Sequence, residues 1–222
     1  MTPVDMRVGA GIGADSPAPP PPKPPLPTPA PPNPRRAQVL GDPITQLFAD
    51  KLEERTGVYI PDDKLTLLAD VIQHAESGIS DDPQTEVNPD TSATGYYQLI
   101  NDTRRTAAKS ILKRMKAAKF NAPQWVHDAA RTMTKEQHVA FVGNLSKQQQ
   151  QVLMLNRLFE SSGSLPAGGG DELWKAWAAS GYQAKGLEDI YVKLHHTKDK
   201  PAIRKHIRGT LSKLVGYNPR HL

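Results

Sequence analysis

The stretch that decides the fold is "DDKLTLLADVIQHAESGIS", which runs from Asp62 to Ser80. Its apolar residues recur at helical spacing, and Glu76 follows Ile72 by four positions on the same stripe. An ionised carboxylate on the buried face of a helix is costly unless something uses it. This stretch therefore predicts an amphipathic helix that is capped by Asp62, stops at Gly78 and carries a candidate functional acid near its end.

Helical patterns continue on both sides of this stretch. Upstream, Asp42 as N-cap and Pro43 at the first helical position open a helix that stops at Gly57. Downstream, two capping boxes, at Thr134–Gln137 and Ser146–Gln149, mark the starts of two more helices. Apolar residues at helical spacing predict further helices within residues 102–120, 171–181, 187–196 and 199–215. The sequence therefore predicts a mainly α fold.

Composition restricts the kinds of site that the chain can build. It has 222 residues, a net charge of +5 and no cysteine, which excludes disulfides, zinc–thiolate sites and cysteine nucleophiles. A mildly basic chain suits an anionic partner such as nucleic acid or a charged cell wall, and it is equally compatible with ordinary solubility. The sequence has no apolar run of signal-peptide or membrane-helix length, so we expect no membrane span.

A proline-rich segment, "PAPPPPKPPLPTPAPPNP", occupies residues 17–34. Proline at this density excludes a helix or a central strand and favours extended polyproline II. Such a segment serves as a stiff spacer or as a docking peptide for an aromatic groove. We therefore expect residues 1–41 to be a disordered or extended tether and residues 42–222 to form the folded domain.

A long polar loop, residues 77–103, follows the helix that carries Glu76. It is rich in turn-forming residues and includes Gly95-Tyr96-Tyr97-Gln98 just before the next predicted helix. Strand signals are weak, and residues 84–100 are the one stretch that could form a small irregular sheet. A half-buried Glu in apolar surroundings keeps its proton near neutral pH and can protonate a leaving oxygen. Because aromatic rings and amides hold sugars by stacking and hydrogen bonds, these residues together indicate cleavage of a glycosidic bond.

The segments "AESG" and "VNPDTSATGYYQLI" resemble the catalytic segment of the soluble lytic transglycosylases, which are relatives of goose-type lysozyme. The resemblance covers roughly residues 60–195 and implies a lysozyme-like domain of the α+β superfamily with a long polar active-site loop. It implies that Glu76 is the catalytic acid and that the substrate contacts come from Ser77, Asn88, Gly95, Tyr96, Tyr97, Gln98, Trp177 and Tyr182.

Three features depart from the family pattern. The segment from Glu76 to Gly95 is several residues longer than usual. Ser92 stands where glycine is common, and Tyr182 replaces a compact Asn-Ala-Gly ending. The resemblance therefore defines the part of the site around Tyr182 least well.

The resemblance implies a mechanism with one carboxylate, whereas most glycosidases use two. Glu76 would protonate the oxygen between N-acetylmuramic acid and N-acetylglucosamine, and would then accept the proton of the C6 hydroxyl as it closes onto C1. The product is a 1,6-anhydro sugar, and no cofactor or metal is expected. A goose-type muramidase remains the alternative if a second carboxylate positions water; the rivals are Asp81, Asp82, Glu86 and Asp90.

The expected context is a bacteriophage virion that acts in the host cell envelope, at the periplasm. In that setting the proline-rich segment binds other virion proteins. The basic run within residues 198–213 is typical of a solvated helix face, and the alternative is a contact with the glycan strand or packaged DNA. A catalytically inactive structural protein of the particle and a glycan-binding module are the alternatives from other functional classes.

Several aromatic residues remain outside the predicted catalytic segment. Trp174 and Trp177 lie on one helical face, which favours a core stripe over a sugar-stacking platform, and we expect Trp125 in the core as well. His195 and His196 have no further ligand-type neighbours at metal spacing, so we predict that both lie at the surface.

Overall fold

The computed structural model describes residues 43–78, 87–88, 90–166, 168–196 and 198–218. Within these ranges the chain forms nine α-helices and one π-helical turn, Tyr191–His195, which follows α8 directly. The α-helices are α1 (Pro43–Thr56), α2 (Asp62–Glu76), α3 (Asn101–Ala117), α4 (Gln124–Ala129), α5 (Lys135–Gly143), α6 (Lys147–Ser164), α7 (Gly169–Ala179), α8 (Ala184–Ile190) and α9 (Pro201–Val215). The predicted tether, residues 1–41, the predicted cap Asp42 and the loop residues 79–86 lie outside the described residues.

The mainly α prediction is confirmed, and the strand-like pairing falls within the stretch that the sequence indicated. Val87 pairs with Thr94 and Thr94 pairs with Leu99, both antiparallel and both as isolated bridges. The Thr94 and Leu99 backbones exchange hydrogen bonds of 3.2 and 2.9 Å around the intervening turn. The described residues contain no strand longer than these single bridges, and a tight turn at Thr94–Leu99 comes just before α3.

Helix α2 buries the stripe that its sequence predicts. Leu65, Leu68, Ala69 and Ile72 are fully buried, and α2 packs against α9. At about 25 cal/mol per Å² of apolar surface, each large aliphatic side chain on this face contributes about 1.5–3 kcal/mol through burial. The helix that carries Glu76 is therefore fixed by the main hydrophobic core.

The capping predictions are confirmed for two helices and corrected for α2. The hydroxyls of Thr134 and Ser146 each accept the backbone N–H three residues later, and the glutamine at that position reaches back to the cap. The N-cap of α2 is Pro61, and Asp62 is the first helical residue. An acid within the first turn still faces the positive end of the helix dipole, so the residue type is favourable there although its position differs by one.

The tryptophans belong to the core. Trp174 and Trp177 are fully buried, with ring centroids 6.2 Å apart, and a Cβ added to Gly186 would lie 2.3 Å from the Trp177 ring. Trp125 packs partly buried against the same core. Complete burial leaves Trp177 no surface for a sugar, so its predicted role in substrate binding is wrong.

A buried ion cluster joins α8 to α9. The carboxylate of Glu188 is fully buried and accepts hydrogen bonds from Arg204 at 2.7 Å and from Arg208 at 3.0 Å. Burial raises the pKa of Glu188, but the hydrogen bonds from Arg208 and Arg204 outweigh it and hold the pKa below its ordinary value. This cluster positions the segment that continues into the π-helical turn.

We predict that Glu188→Gln lowers the free energy of unfolding at pH 7 by about 2–3 kcal/mol, because the buried arginine contacts lose their charged partner. A carboxyl with a depressed folded-state pKa stabilises the protein above its unfolded-state pKa, and this stabilisation is lost as the pH falls. Wild type should therefore lose stability as the pH falls below about 4.5, and the variant should lose less. Urea titrations across this range measure both effects.

Glu54 provides the control, because its carboxylate is exposed and pairs only with Lys51 among the ion pairs of the described residues. Glu54→Gln should match wild type within about 0.5 kcal/mol. Equal effects of the two substitutions would contradict the importance of the buried cluster.

Candidate functional site

Glu76 is the last residue of α2, and its carboxylate faces three side chains from the far end of the chain. Its Oε1 accepts a hydrogen bond from the Tyr191 hydroxyl at 2.5 Å. The same oxygen lies 3.1 Å from Nε2 of His195 and 3.4 Å from Nε2 of His196. The Glu76 side chain retains 18% exposure, so this half-buried cluster is accessible at one edge.

The π-helical turn brings these three partners together. A π-helix is wider than an α-helix, and single π turns occur frequently at functional sites. Here the ring centroid of Tyr191 lies 5.3 Å from that of His195 and 4.8 Å from that of His196. The turn packs against α6 and α9, which fixes the rings against the end of α2. We call Glu76, Tyr191, His195 and His196 the Glu76 cluster.

The prediction that His195 and His196 lie at the surface is wrong. Their side chains are 17% and 31% exposed, and both point at Glu76. Sequence reasoning missed this because more than a hundred residues separate the imidazoles from the carboxylate. One local signal was available. Tyr191, His195 and His196 lie near the end of an amphipathic segment, and each has an apolar ring with a polar atom that can contact a buried acid.

The protonation expected for Glu76 is also corrected. Burial alone raises the pKa of Glu76, but the adjacent imidazoles of His195 and His196 and the hydrogen bond from Tyr191 outweigh burial and hold the pKa well below its usual range. Burial, together with the Glu76 charge and hydrogen bond, raises the pKa of Tyr191. In the isolated protein the cluster therefore contains a carboxylate and a neutral phenol.

The Gly95–Gln98 turn is fixed by α6 rather than by the Glu76 cluster. The backbone N–H of Tyr96 donates to Gln150 Oε1 at 2.9 Å. Gly95 adopts φ 78°, and a Cβ at this position would lie 2.3 Å from the same Gln150 oxygen. Both the backbone conformation and the close approach therefore require glycine at position 95.

Within the turn, Tyr97 is buried whereas Tyr96 and Gln98 are half-buried. Gln98 Nε2 donates to the backbone oxygen of Gly95 at 3.2 Å. Burial and the Asp70 charge raise the pKa of Tyr97, and Tyr97 packs in the same hydrophobic core as the buried face of α2. Tyr96 and Gln98 are the side chains of the turn that retain access to solvent.

The remaining predicted contacts have mainly local roles. Ser77 is buried and donates its hydroxyl to Gln73 O at 3.0 Å. Asn88 is exposed, and its side chain accepts the backbone N–H of Asp90. Tyr182 packs edge-on against Trp177 and donates its hydroxyl to Tyr59 O at 2.5 Å. Burial removes Ser77 from direct substrate contact, as it removes Tyr97.

The rival second carboxylates are described only in part. Asp90 is exposed, and its backbone N–H completes the turn at Asn88. Asp81, Asp82 and Glu86 lie outside the described residues. Within the described residues, no ion pair or hydrogen bond connects Asp90 with Glu76.

A groove of about 510 Å³ lies between the end of α2 and α9. Among its lining residues are His74, Lys205, His206 and Lys213, which give it a basic character. The Nε2 of His206 lies 2.7 Å from the backbone oxygen of Ala75. His74 precedes Glu76 by two residues, so the two side chains leave α2 on opposite sides. The groove and the Glu76 carboxylate therefore occupy different faces of the same helix end.

The Glu76 cluster also has the composition of a metal site. The ligand-type atoms of Glu76, His195 and His196 all lie within 4.8 Å of one another.

No helix in the described part of the chain is long and apolar enough to cross a membrane. No protein-family model, curated protein or solved structure matches the chain. The function is therefore inferred from the residues and their geometry.

We predict that Tyr191→Phe raises the pKa of Glu76 relative to wild type, because the carboxylate loses its 2.5 Å hydrogen bond while it stays buried. The measurement is a titration of the Glu76 side-chain carbon by nuclear magnetic resonance in buffer that contains a chelator. Tyr217→Phe is the control, since the hydroxyl of Tyr217 contacts Glu188 at 3.3 Å instead. An unchanged Glu76 titration in Tyr191→Phe would contradict the geometry of the cluster.

Proposed function

We propose that the protein is a peptidoglycan lytic transglycosylase with a lysozyme-like helical domain and that Glu76 is its catalytic residue. The observation that carries this proposal is the position of Glu76. Its carboxylate ends a helix that is embedded in the core, keeps an exposed edge and is oriented by three polar side chains. Such a group can deliver a proton to a bound substrate in one fixed direction.

The Glu76 cluster supplies a route for that proton. His195 and His196 place two imidazoles, each a group that can hold and release a proton, beside this carboxylate. Imidazole nitrogen His195 Nε2 lies 3.1 Å from the carboxylate oxygen, which is within proton-transfer distance. Glu76 receives the proton from the imidazole and passes it to the glycosidic oxygen when substrate covers the exposed edge.

Bond cleavage then follows without a second carboxylate. The C1–O bond between N-acetylmuramic acid and N-acetylglucosamine breaks as its oxygen accepts the proton. The C6 hydroxyl of the same muramic acid forms the new bond to C1, and its proton returns to the Glu76 carboxylate. The products are a 1,6-anhydromuramic acid end and a free N-acetylglucosamine end, and no water is consumed.

Two further features support a glycan substrate. Tyr96 and Gln98 keep solvent access on the turn that precedes α3, where a ring and an amide can contact a sugar. The basic groove of His74, Lys205, His206 and Lys213 runs beside the same helix end. Peptidoglycan carries carboxylates on its stem peptides, so a basic groove on the other face of the helix end that carries Glu76 favours this polymer.

The lysozyme-like assignment rests on the order of elements around the acid. A buried helix ends in Glu76, an irregular bridge region follows at Val87–Leu99, and α3 begins at Asn101. This order of elements is the support for the proposed lysozyme-like fold.

The proposed context is a phage virion whose enzyme acts at the host envelope. The proline-rich residues 17–34 and the lack of cysteine support a tethered particle protein. In this arrangement the tether binds another virion protein, and the particle delivers the domain to the periplasmic wall.

We predict that Glu76→Gln lowers the rate of wall cleavage at least about 100-fold, because the amide cannot transfer a proton. The measurement is mass spectrometry of the fragments that the full chain releases from purified sacculi. Wild type should release anhydromuropeptides, and circular dichroism should show the same helical content in both proteins.

Glu172→Gln is the matched control, since this carboxylate is exposed on α7 and pairs with Lys175. It should cleave at the wild-type rate. Fragments with reducing ends in place of anhydro ends would contradict the transglycosylase and indicate the muramidase. No fragments from any of several wall types would contradict the enzyme and favour a structural protein.

A further inference from the structure

We propose that Glu76, His195 and His196 form a binding site for a divalent transition-metal ion, with zinc as the preferred biological ion. No metal is expected from the sequence alone. One carboxylate oxygen and two imidazole nitrogens are a common ligand set for zinc, and they leave the fourth tetrahedral position for water or another ligand.

The distances between the ligand atoms fit one ion. Zinc binds imidazole nitrogen and carboxylate oxygen at about 2.0–2.2 Å, so two ligands at the tetrahedral angle lie about 3.4 Å apart. The Glu76 oxygen is 3.1 Å from His195 Nε2 and 3.4 Å from His196 Nε2. All three ligand atoms lie within 4.8 Å of one another, so small rotations of the side chains bring them onto one ion.

A second observation, independent of the spacing, points to a missing ligand. The Nε2 atom of His196 is buried and makes no hydrogen bond in the described structure, although a carboxylate lies 3.4 Å away. Buried polar nitrogens rarely lack a partner. A metal ion would satisfy this nitrogen, because coordination uses the lone pair of a neutral imidazole and needs no hydrogen-bond geometry.

The surroundings also provide an outer shell. The Tyr191 hydroxyl donates to the carboxylate oxygen at 2.5 Å and orients Glu76. The imidazole rings pack against each other and against Tyr191, with centroids 4.8–5.3 Å apart. Outer partners of this kind fix the direction of metal ligands and tune their affinity. Imidazole ligands favour zinc, cobalt and nickel over magnesium and calcium, which prefer oxygen.

The site has a consequence for catalysis that rests on the proposed function. A bound ion takes the carboxylate oxygen that the cleavage reaction needs, so metal binding and proton transfer exclude each other. The binding itself does not depend on glycan cleavage. A binding measurement therefore tests this inference even if the protein cleaves no wall, and an active enzyme that binds no metal would refute this inference alone.

The experiment uses the full chain after treatment with a chelator and removal of the chelator. Isothermal titration with zinc chloride should give one ion per chain with a dissociation constant in the micromolar range or below. Cobalt chloride should produce the intense visible absorption of a tetrahedral Co²⁺ site. Zinc should also raise the melting temperature, because a ligand that binds the folded state stabilises it.

His195→Ala and His196→Ala should each weaken zinc binding at least tenfold and remove the rise in melting temperature. His127→Ala is the control, because His127 is exposed on α4, and it should bind like wild type. Circular dichroism identifies variants that fail to fold, and His195→Asn and His196→Asn replace them as less disruptive substitutions. No saturable zinc binding by wild type, or equal binding after both histidines are replaced, would overturn the site and leave an ion pair only.

Discussion

The charge of Glu76, buried at the end of an apolar helix, is the constraint on which the rest of the site depends. An ionised carboxylate that loses its water is strongly destabilising unless hydrogen bonds and opposite charges replace that water. Here the replacements come from Tyr191, His195 and His196. Two segments that are distant in the chain must therefore pack together before the acid can be tolerated.

The architecture around the π-helical turn meets this requirement. The turn continues α8, whose buried Glu188 is paired with Arg204 and Arg208 of α9. Helix α9 also packs against α2, so the helix with the acid and the turn with its partners share a neighbour. The buried cluster at Glu188 thus contributes to the geometry at Glu76 through rigid helices rather than through direct contact.

Local sequence signals predicted the elements well. The stripe of Leu65, Leu68 and Ile72 gave the correct helix and buried face, and the capping glutamines Gln137 and Gln149 marked true helix starts. These features depend on residues within one or two turns of each other, which periodicity can detect. The resemblance to lytic transglycosylases selected Glu76 from many acids, and its catalytic role stays a prediction.

The partners of Glu76 could not be predicted in the same way. His195 and His196 approach it only after the π-helical turn packs against the end of α2, and this turn has no sequence signature. The same limitation affected Trp177, since a helical stripe does not reveal whether a ring faces the core or a cleft. The expected protonation of Glu76 was wrong for this reason too, because burial was visible in the pattern whereas the three polar partners were not.

The same cluster supports two kinds of chemistry that use one oxygen atom. As a coupled acid–base unit, it can move a proton to a glycosidic oxygen and take another back. As a ligand set, it can hold a transition-metal ion that blocks this transfer. Both depend on the side chain of Glu76 being oriented by Tyr191, so the energetic link between these two residues is the central claim about the molecule.

A double-mutant cycle on stability tests this link most directly. Unfolding free energies of wild type, Glu76→Gln, Tyr191→Phe and the double variant are measured in urea at neutral pH with a chelator present. A hydrogen bond to a buried charge predicts a coupling energy of about 1–3 kcal/mol between the two positions. Effects that add within about 0.5 kcal/mol would contradict the account, because the carboxylate and the phenol would then not interact in the folded protein.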